Sequence, residues 1–127
     1  MAMTPAQRHA KHKLTAHGRA SVLLGHARRR AQQKGGVCSV TVEHIASVIG
    51  LGKCELTGLP FDLSPPTDTL RNPYSPSIDR IDPQCPDYTP GNTRIVLSWV
   101  NMALSDYGLD VSLPIVRALA GVAVEPS

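Results

Sequence analysis

The chain has 127 residues, enough for one domain with an adequate but small core, and a formal net charge of +3. Five residues are aromatic, Phe61, Tyr74, Tyr88, Trp99 and Tyr107. No apolar run approaches a membrane span, MAMTPAQRHAKHK lacks the apolar stretch of a secretory signal, and three scattered cysteines make a poor disulfide framework, so a cytoplasmic protein with no membrane contact is expected.

Charge is segregated along the chain. Residues 1–42 hold eight basic side chains and no acid, whereas the other 85 hold five basic and ten acidic groups. A basic arm of this kind is a footprint of phosphate neutralisation, although a solvated tail carries the same pattern. Residues 1–18 read as a flexible basic tail, rich in Ala, Lys and His. From Arg19 to Lys34 the pattern becomes helical, with Ala20, Leu24, Ala27 and Ala31 on one apolar stripe. Arg28, Arg29, Arg30 and Lys34 spread around this helix and are candidate nucleic-acid contacts. Gly35-Gly36 close it. Thr41 suits the N-cap of a second helix, with Glu43 in its first turn and Val42, Ile45 and Ile49 facing inward. Gly50 and Gly52 end it, and His44 on it reads as a partly exposed structural histidine.

Residues 52–63, GKCELTGLPFDL, suggest a tight knuckle followed by an apolar anchor, and residues 64–77 an ordered loop. Ser77–Asp82 and Thr93–Ser98 read as two short strands, joined by the turn-dense DPQCPDYTPGN. A helix is predicted from about Trp99 to Tyr107, ended by Gly108. A last one, near Leu113–Ala120, has Pro114 in its tolerated first turn. Residues 122–127 form a C-terminal tail, and residues 19–121 one domain.

Two positions ask for a chemical explanation. Asp79 falls near the end of a strand, and Asn101 in the body of a helix, where asparagine is a mediocre former. Oxygen ligands on a strand and on the helix packed against it can share a hard, partly hydrated cation such as Mg²⁺. Asn92, after Pro90-Gly91, is a turn residue able to tie its loop together.

The chain resembles the HNH endonucleases of the ββα-metal finger superfamily, and within them a phage and bacterial group. The resemblance rests on Cys54-Glu55-Leu56-Thr57-Gly58-Leu59-Pro60-Phe61, Pro76-Ser77-Ile78-Asp79-Arg80-Ile81-Asp82, Tyr88-Thr89-Pro90-Gly91-Asn92-Thr93-Arg94-Ile95-Val96 and Asn101, and covers roughly residues 19–108. Their order is more specific than any one motif: 13 positions separate Asp79 from Asn92, and 9 more reach Asn101.

The resemblance implies an α+β fold, a ββα-metal finger over about residues 76–108 with a basic N-terminal helix and additional short helices. It implies a metal-dependent DNA endonuclease or nickase hydrolysing phosphodiester bonds of duplex DNA. Asp79 and Asn101 would bind Mg²⁺ or Mn²⁺, Asn92 would brace the loop, and Arg80 and Arg94 would contact phosphate. In active members the residue after the aspartate is a histidine that serves as general base. Here it is Arg80, which stays protonated at any useful pH and can bind phosphate but not accept a proton. Asp82 is one replacement for the base and His44 is the best placed of the five histidines. A non-catalytic nucleic-acid-binding protein on the same fold is the alternative, and a domain binding an acidic protein through its basic arm is a third reading. Two paired C-x-x-C motifs brace many family members around structural zinc. This chain has Cys54 and then Thr57, so no structural zinc is expected and Phe61, Trp99 and Ile95 should hold the knuckle by packing. Family members also carry a glycine before the tyrosine, where this chain has Asp87.

Overall fold

A computed structural model describes residues 2–8, 15–65 and 71–123. It is a mixed helix-and-strand fold, α+β in class, with a two-stranded antiparallel sheet. Within the basic tail, residues 5–8 form a helical turn in which Thr4 and Gln7 exchange capping-box hydrogen bonds. Lys11 and Lys13 lie outside the described residues.

Helix α1 spans Ala16–Gln33, beginning three residues before the predicted Arg19 because the Thr15 side chain caps it by accepting from the Gly18 amide. Helix α2, Val42–Leu51, starts where Thr41 accepts from the His44 amide and stops at Gly52, whose φ of 84° is the left-handed conformation a C-cap needs. Gly50 lies inside it. The Ala20, Leu24, Ala27 and Ala31 stripe of α1 is buried against Ile45, Val48 and Ile49 of α2 and against Ile78, Tyr88 and Ile95. Small residues on α1 let the two helices approach closely, which suits a chain with few bulky side chains.

Strand β1 is Pro76–Arg80 and β2 is Thr93–Leu97, each slightly shorter than expected. The register pairs Ile78 with Ile95 and Asp79 with Arg94. Side chains alternate across the sheet, so Ile78 and Ile95 enter the core under α1 and α2 while Ser77 and Val96 turn to the opposite face. Helix α3, Ser98–Leu104, follows β2 directly and packs on that face through Val100 and Leu104. It is shorter than the predicted Trp99–Tyr107, because Ser105 leaves the helix at φ 46°.

The final helix, α4, runs from Gly108 to Ala120. It begins five residues before the predicted start, which puts Pro114 in its second turn rather than its first. The cost is one missing amide donor to the Asp110 carbonyl, and Asp110 is exposed, so water can serve it.

The knuckle after α2 is held by the backbone rather than by a cluster of aromatic rings. The Cys54 amide donates to the Leu59 carbonyl, the Gly58 amide to the Cys54 carbonyl and the Phe61 amide to the Gly52 carbonyl. Glu55 then clamps the outer edge of β2: its amide donates to the Ile95 carbonyl, and its Oε1 accepts from the Ile95 amide at 2.8 Å. The pairing removes an open strand edge. Phe61 does bridge the two apolar clusters and Ile95 is buried, but Trp99 is 46 % exposed and takes no part. Cys38, Cys54 and Cys85 are free thiols; hydrogen bonds at Thr57 and nearby amides hold Cys54 below its usual pKa against the desolvation of burial.

Candidate nucleic-acid and metal site

The candidate site is built on the unpaired edge of β1, between α1 and α3. Asp79 is 4 % exposed, and its Oδ2 accepts from Arg94 Nε at 2.7 Å across the strand pair. Burial pushes the Asp79 carboxyl above its usual range, against the opposing pull of Arg94 and, more weakly, Arg80. Among the described residues nothing donates to Asp79 Oδ1, and no buried side-chain oxygen lacks a partner, so this second oxygen keeps contact with solvent.

Asn101 is oriented by its own donors. Nδ2 donates to Ser77 Oγ at 2.7 Å and to the Ile78 carbonyl at 3.2 Å, tying α3 to β1. With both hydrogens of the amide engaged, its oxygen is left as an acceptor. This explains an asparagine in a helix: the side chain fastens the helix to the strand and leaves one oxygen over.

Asp79, Arg80 and Asn101 line one cavity of about 210 Å³, and they do so with Arg30 of α1, with Lys34 at its C-cap and with Asp106 beyond α3. Two hard oxygens that accept from no donor among the described residues, a further carboxylate and no thiol or imidazole on this wall form a donor set that suits Mg²⁺ or Mn²⁺. Mg²⁺ keeps several waters and needs only one or two carboxylates, so the set fits although no group of three His, Cys, Asp or Glu ligands occurs among the described residues.

Arg80 is fixed by the loop that follows it. Its Nη1 donates to the Cys85 carbonyl at 3.0 Å, and its guanidinium lies 5.6 Å from the centre of the Tyr88 ring. The ion pair of Asp79 forms across the strands, with Arg94, and not with its neighbour Arg80. Arg94 lines a separate hollow with Asp82, Tyr107 and Asp110. Asp82 is in that hollow and not on the wall of the 210 Å³ cavity, and its Oδ1 accepts from the Gln84 amide at 3.0 Å in a local turn.

Asn92 braces the loop as its turn chemistry suggests. Its Oδ1 accepts from the Asp82 amide at 2.9 Å, its Nδ2 donates to the Asp87 carbonyl at 2.9 Å, and its carbonyl accepts from the Ile81 amide. Asp87 reaches back to accept from the Val37 amide at 2.9 Å. Gly36 beside it is packed so closely that a Cβ would lie 2.5 Å from the Pro86 carbonyl oxygen.

The basic helix divides. Arg30 and Lys34 face the cavity, Arg29 lines a shallow hollow with His26 and Arg30, and Arg28 lines neither, its charge lying near enough to oppose the rise that burial gives the Cys38 thiol. His44 is exposed on α2 and lines neither cavity. Asp106 drew no attention in the sequence because it belongs to no motif and falls within the predicted Trp99–Tyr107 helix; the structure ends that helix at Leu104 and leaves Asp106 beyond it. No family model, curated protein or solved structure matches this chain.

Proposed function

We propose that the protein is a metal-dependent DNA endonuclease or nickase on an HNH-like ββα-metal finger, hydrolysing phosphodiester bonds with Mg²⁺ or Mn²⁺. The observation that carries the reading is the meeting of Asp79, Asn101 and Arg80 with Arg30 and Lys34 in one cavity, although the basic residues are more than forty positions away in sequence. Acid and amide oxygens beside unneutralised cations are what a phosphodiester and a divalent ion need together.

Asp79 and Asn101 would hold the ion through their spare oxygens. When bound, the ion supplies positive charge against the oxygen that leaves phosphorus. Lys34 and Arg80 pair with the non-bridging phosphate oxygens, as point charge and planar fork respectively. Arg30 steers the adjoining backbone. Arg80 cannot take the proton of the attacking water, and Asp82 belongs to another face. Asp106 is exposed, accepts no hydrogen bond among the described residues, and is the carboxylate available on the cavity wall for that transfer. Water oxygen bonds to phosphorus, one P–O bond breaks, and the water proton passes to Asp106.

A non-catalytic DNA-binding protein on the same fold is the second reading. Arg94 on Asp79 favours it, because an ion must compete with an internal cation for this carboxylate. Purified protein should nick supercoiled plasmid in Mg²⁺ or Mn²⁺, lose activity in EDTA, and lose it with Asp79→Ala. Salt-sensitive DNA binding without cleavage in either metal would decide for the second reading.

A further inference from the structure

A second cavity, of about 380 Å³, adjoins the first along the free edge of β1. Pro76, Ser77 and Ile78 line the larger space; Ile78, Asp79 and Arg80 line the smaller. The facing wall is α1, in the same chain order: Arg19, Val22 and Leu23 on the larger cavity, Arg30 on both, Lys34 on the smaller. Between Arg19 and Arg30 the helix rises roughly 16 Å. Over that length a DNA strand carries several phosphates, at about 3.4 Å each along a duplex axis.

The two cavities differ in charge. The smaller mixes Arg30, Lys34 and Arg80 with Asp79 and Asp106. The larger holds Arg19, Arg30 and Arg71 and, among the described residues, no carboxylate. Two of its serine hydroxyls engage each other: Ser75 Oγ and Ser98 Oγ are 2.6 Å apart, and both also bond to backbone carbonyls. The three arginines give the cavity wall its positive charge, with Asp62 near enough to Arg19 to act on it. Arg19 is steadied by donating to the Leu63 carbonyl at 3.1 Å, and Arg71 reaches in from the exposed loop before β1. Beside them Val22, Leu23 and Tyr88 offer apolar surface. Cationic groups next to an apolar wall match a nucleotide better than a bare phosphate.

We propose that the larger cavity is a nucleotide subsite, in which Arg19, Arg30 and Arg71 hold the phosphate adjacent to the one in the smaller cavity while the nucleoside lies against Val22, Leu23 and Tyr88. One DNA strand then follows the α1–β1 groove. The proposal rests on the nucleic-acid reading above but not on cleavage.

The test is fluorescence anisotropy of the full chain with labelled single-stranded and duplex oligonucleotides, in EDTA, across a salt series. Arg71→Gln is the main variant, because Arg71 is exposed and its loss leaves the core intact. It should weaken binding about tenfold, as expected for a charge-assisted contact. It should also flatten the slope of log affinity against log salt by about 0.7 on single strands or 0.9 on duplex. Arg30→Gln should do at least as much, and Arg117→Gln on α4 should change nothing. Wild-type affinity and slope in Arg71→Gln, with Arg30→Gln weakened, would overturn the subsite and leave the nucleic-acid reading standing. Arg71-dependent binding of deoxyadenosine 5′-monophosphate without binding of either oligonucleotide would overturn both, and make the cavity a site for free nucleotides. Binding of neither probe would also overturn both.

Discussion

Replacing Arg94 by Gln removes the cation that touches Asp79 and keeps an amide of similar length on β2. The Asp79 side chain is 5 % exposed and that of Arg94 15 %, with 2.7 Å between Oδ2 and Nε. Removing one partner of a fully buried pair costs about 3–5 kcal/mol. Partial exposure of Arg94, and the hydrogen bond that Gln can still donate, bring the expected loss to about 2 kcal/mol at neutral pH. The dependence on pH follows from the carboxylate. Burial already raises the Asp79 pKa above its ordinary value, and without Arg94 it rises further. The folded variant therefore holds this proton more tightly than its unfolded chain. Its unfolding free energy falls as pH climbs from the ordinary carboxylate value through the raised folded value. The deficit relative to wild type should be complete above that folded value and shrink towards zero in acid, where Asp79 is protonated in both proteins. Urea unfolding followed by circular dichroism, in EDTA at neutral and acid pH, measures this for Arg94→Gln, Asp79→Asn and the double variant. The coupling between the two sites should be about 1–2 kcal/mol at neutral pH. Added Mg²⁺ should raise the midpoint of Arg94→Gln more than that of wild type, because the competing cation is gone. A deficit that ignores pH, or two additive substitutions, would refute the reasoning.

Asn92→Ala removes two loop hydrogen bonds, each worth about 1 kcal/mol, and should lower the melting temperature by roughly 6–10 °C in calorimetry. Gly36→Ala drives a methyl into the Pro86 carbonyl and should cost about 1–3 kcal/mol in denaturant unfolding, although no helix or strand is altered. Asp106→Asn should lower plasmid nicking about 100-fold or more while leaving DNA affinity in EDTA and the melting temperature near wild type. Unchanged nicking would remove Asp106 from the reaction.

Much of the framework was legible along the chain, because local chemistry decides it. Thr41 and Gly52 mark the ends of α2 by capping geometry, and the β-branched TRIVL segment forms a strand. Asn92 after Pro-Gly braces its loop through bonds that span only five to ten residues. Element ends depended on weaker signals. Thr15 extended α1 toward its N-terminus, and α4 absorbed Pro114 because an exposed carbonyl loses little when water replaces its partner.

The sequence by itself determined an α+β chain with a basic first third and an aspartate and asparagine asking for a shared purpose. Tertiary structure alone decided which charges meet. Strand register put Arg94, not Arg80, opposite Asp79, since residues directly across an antiparallel pair are neighbours whatever their separation in sequence. The α1 stripe, by burying against α2 and β1, turned Arg30 and Lys34 into the cavity and left Arg28 off its wall. The end of α3 at Ser105 carried Asp106 to the same wall. Charge along a chain is a one-dimensional property, whereas phosphate binding and proton transfer depend on distances that only packing sets.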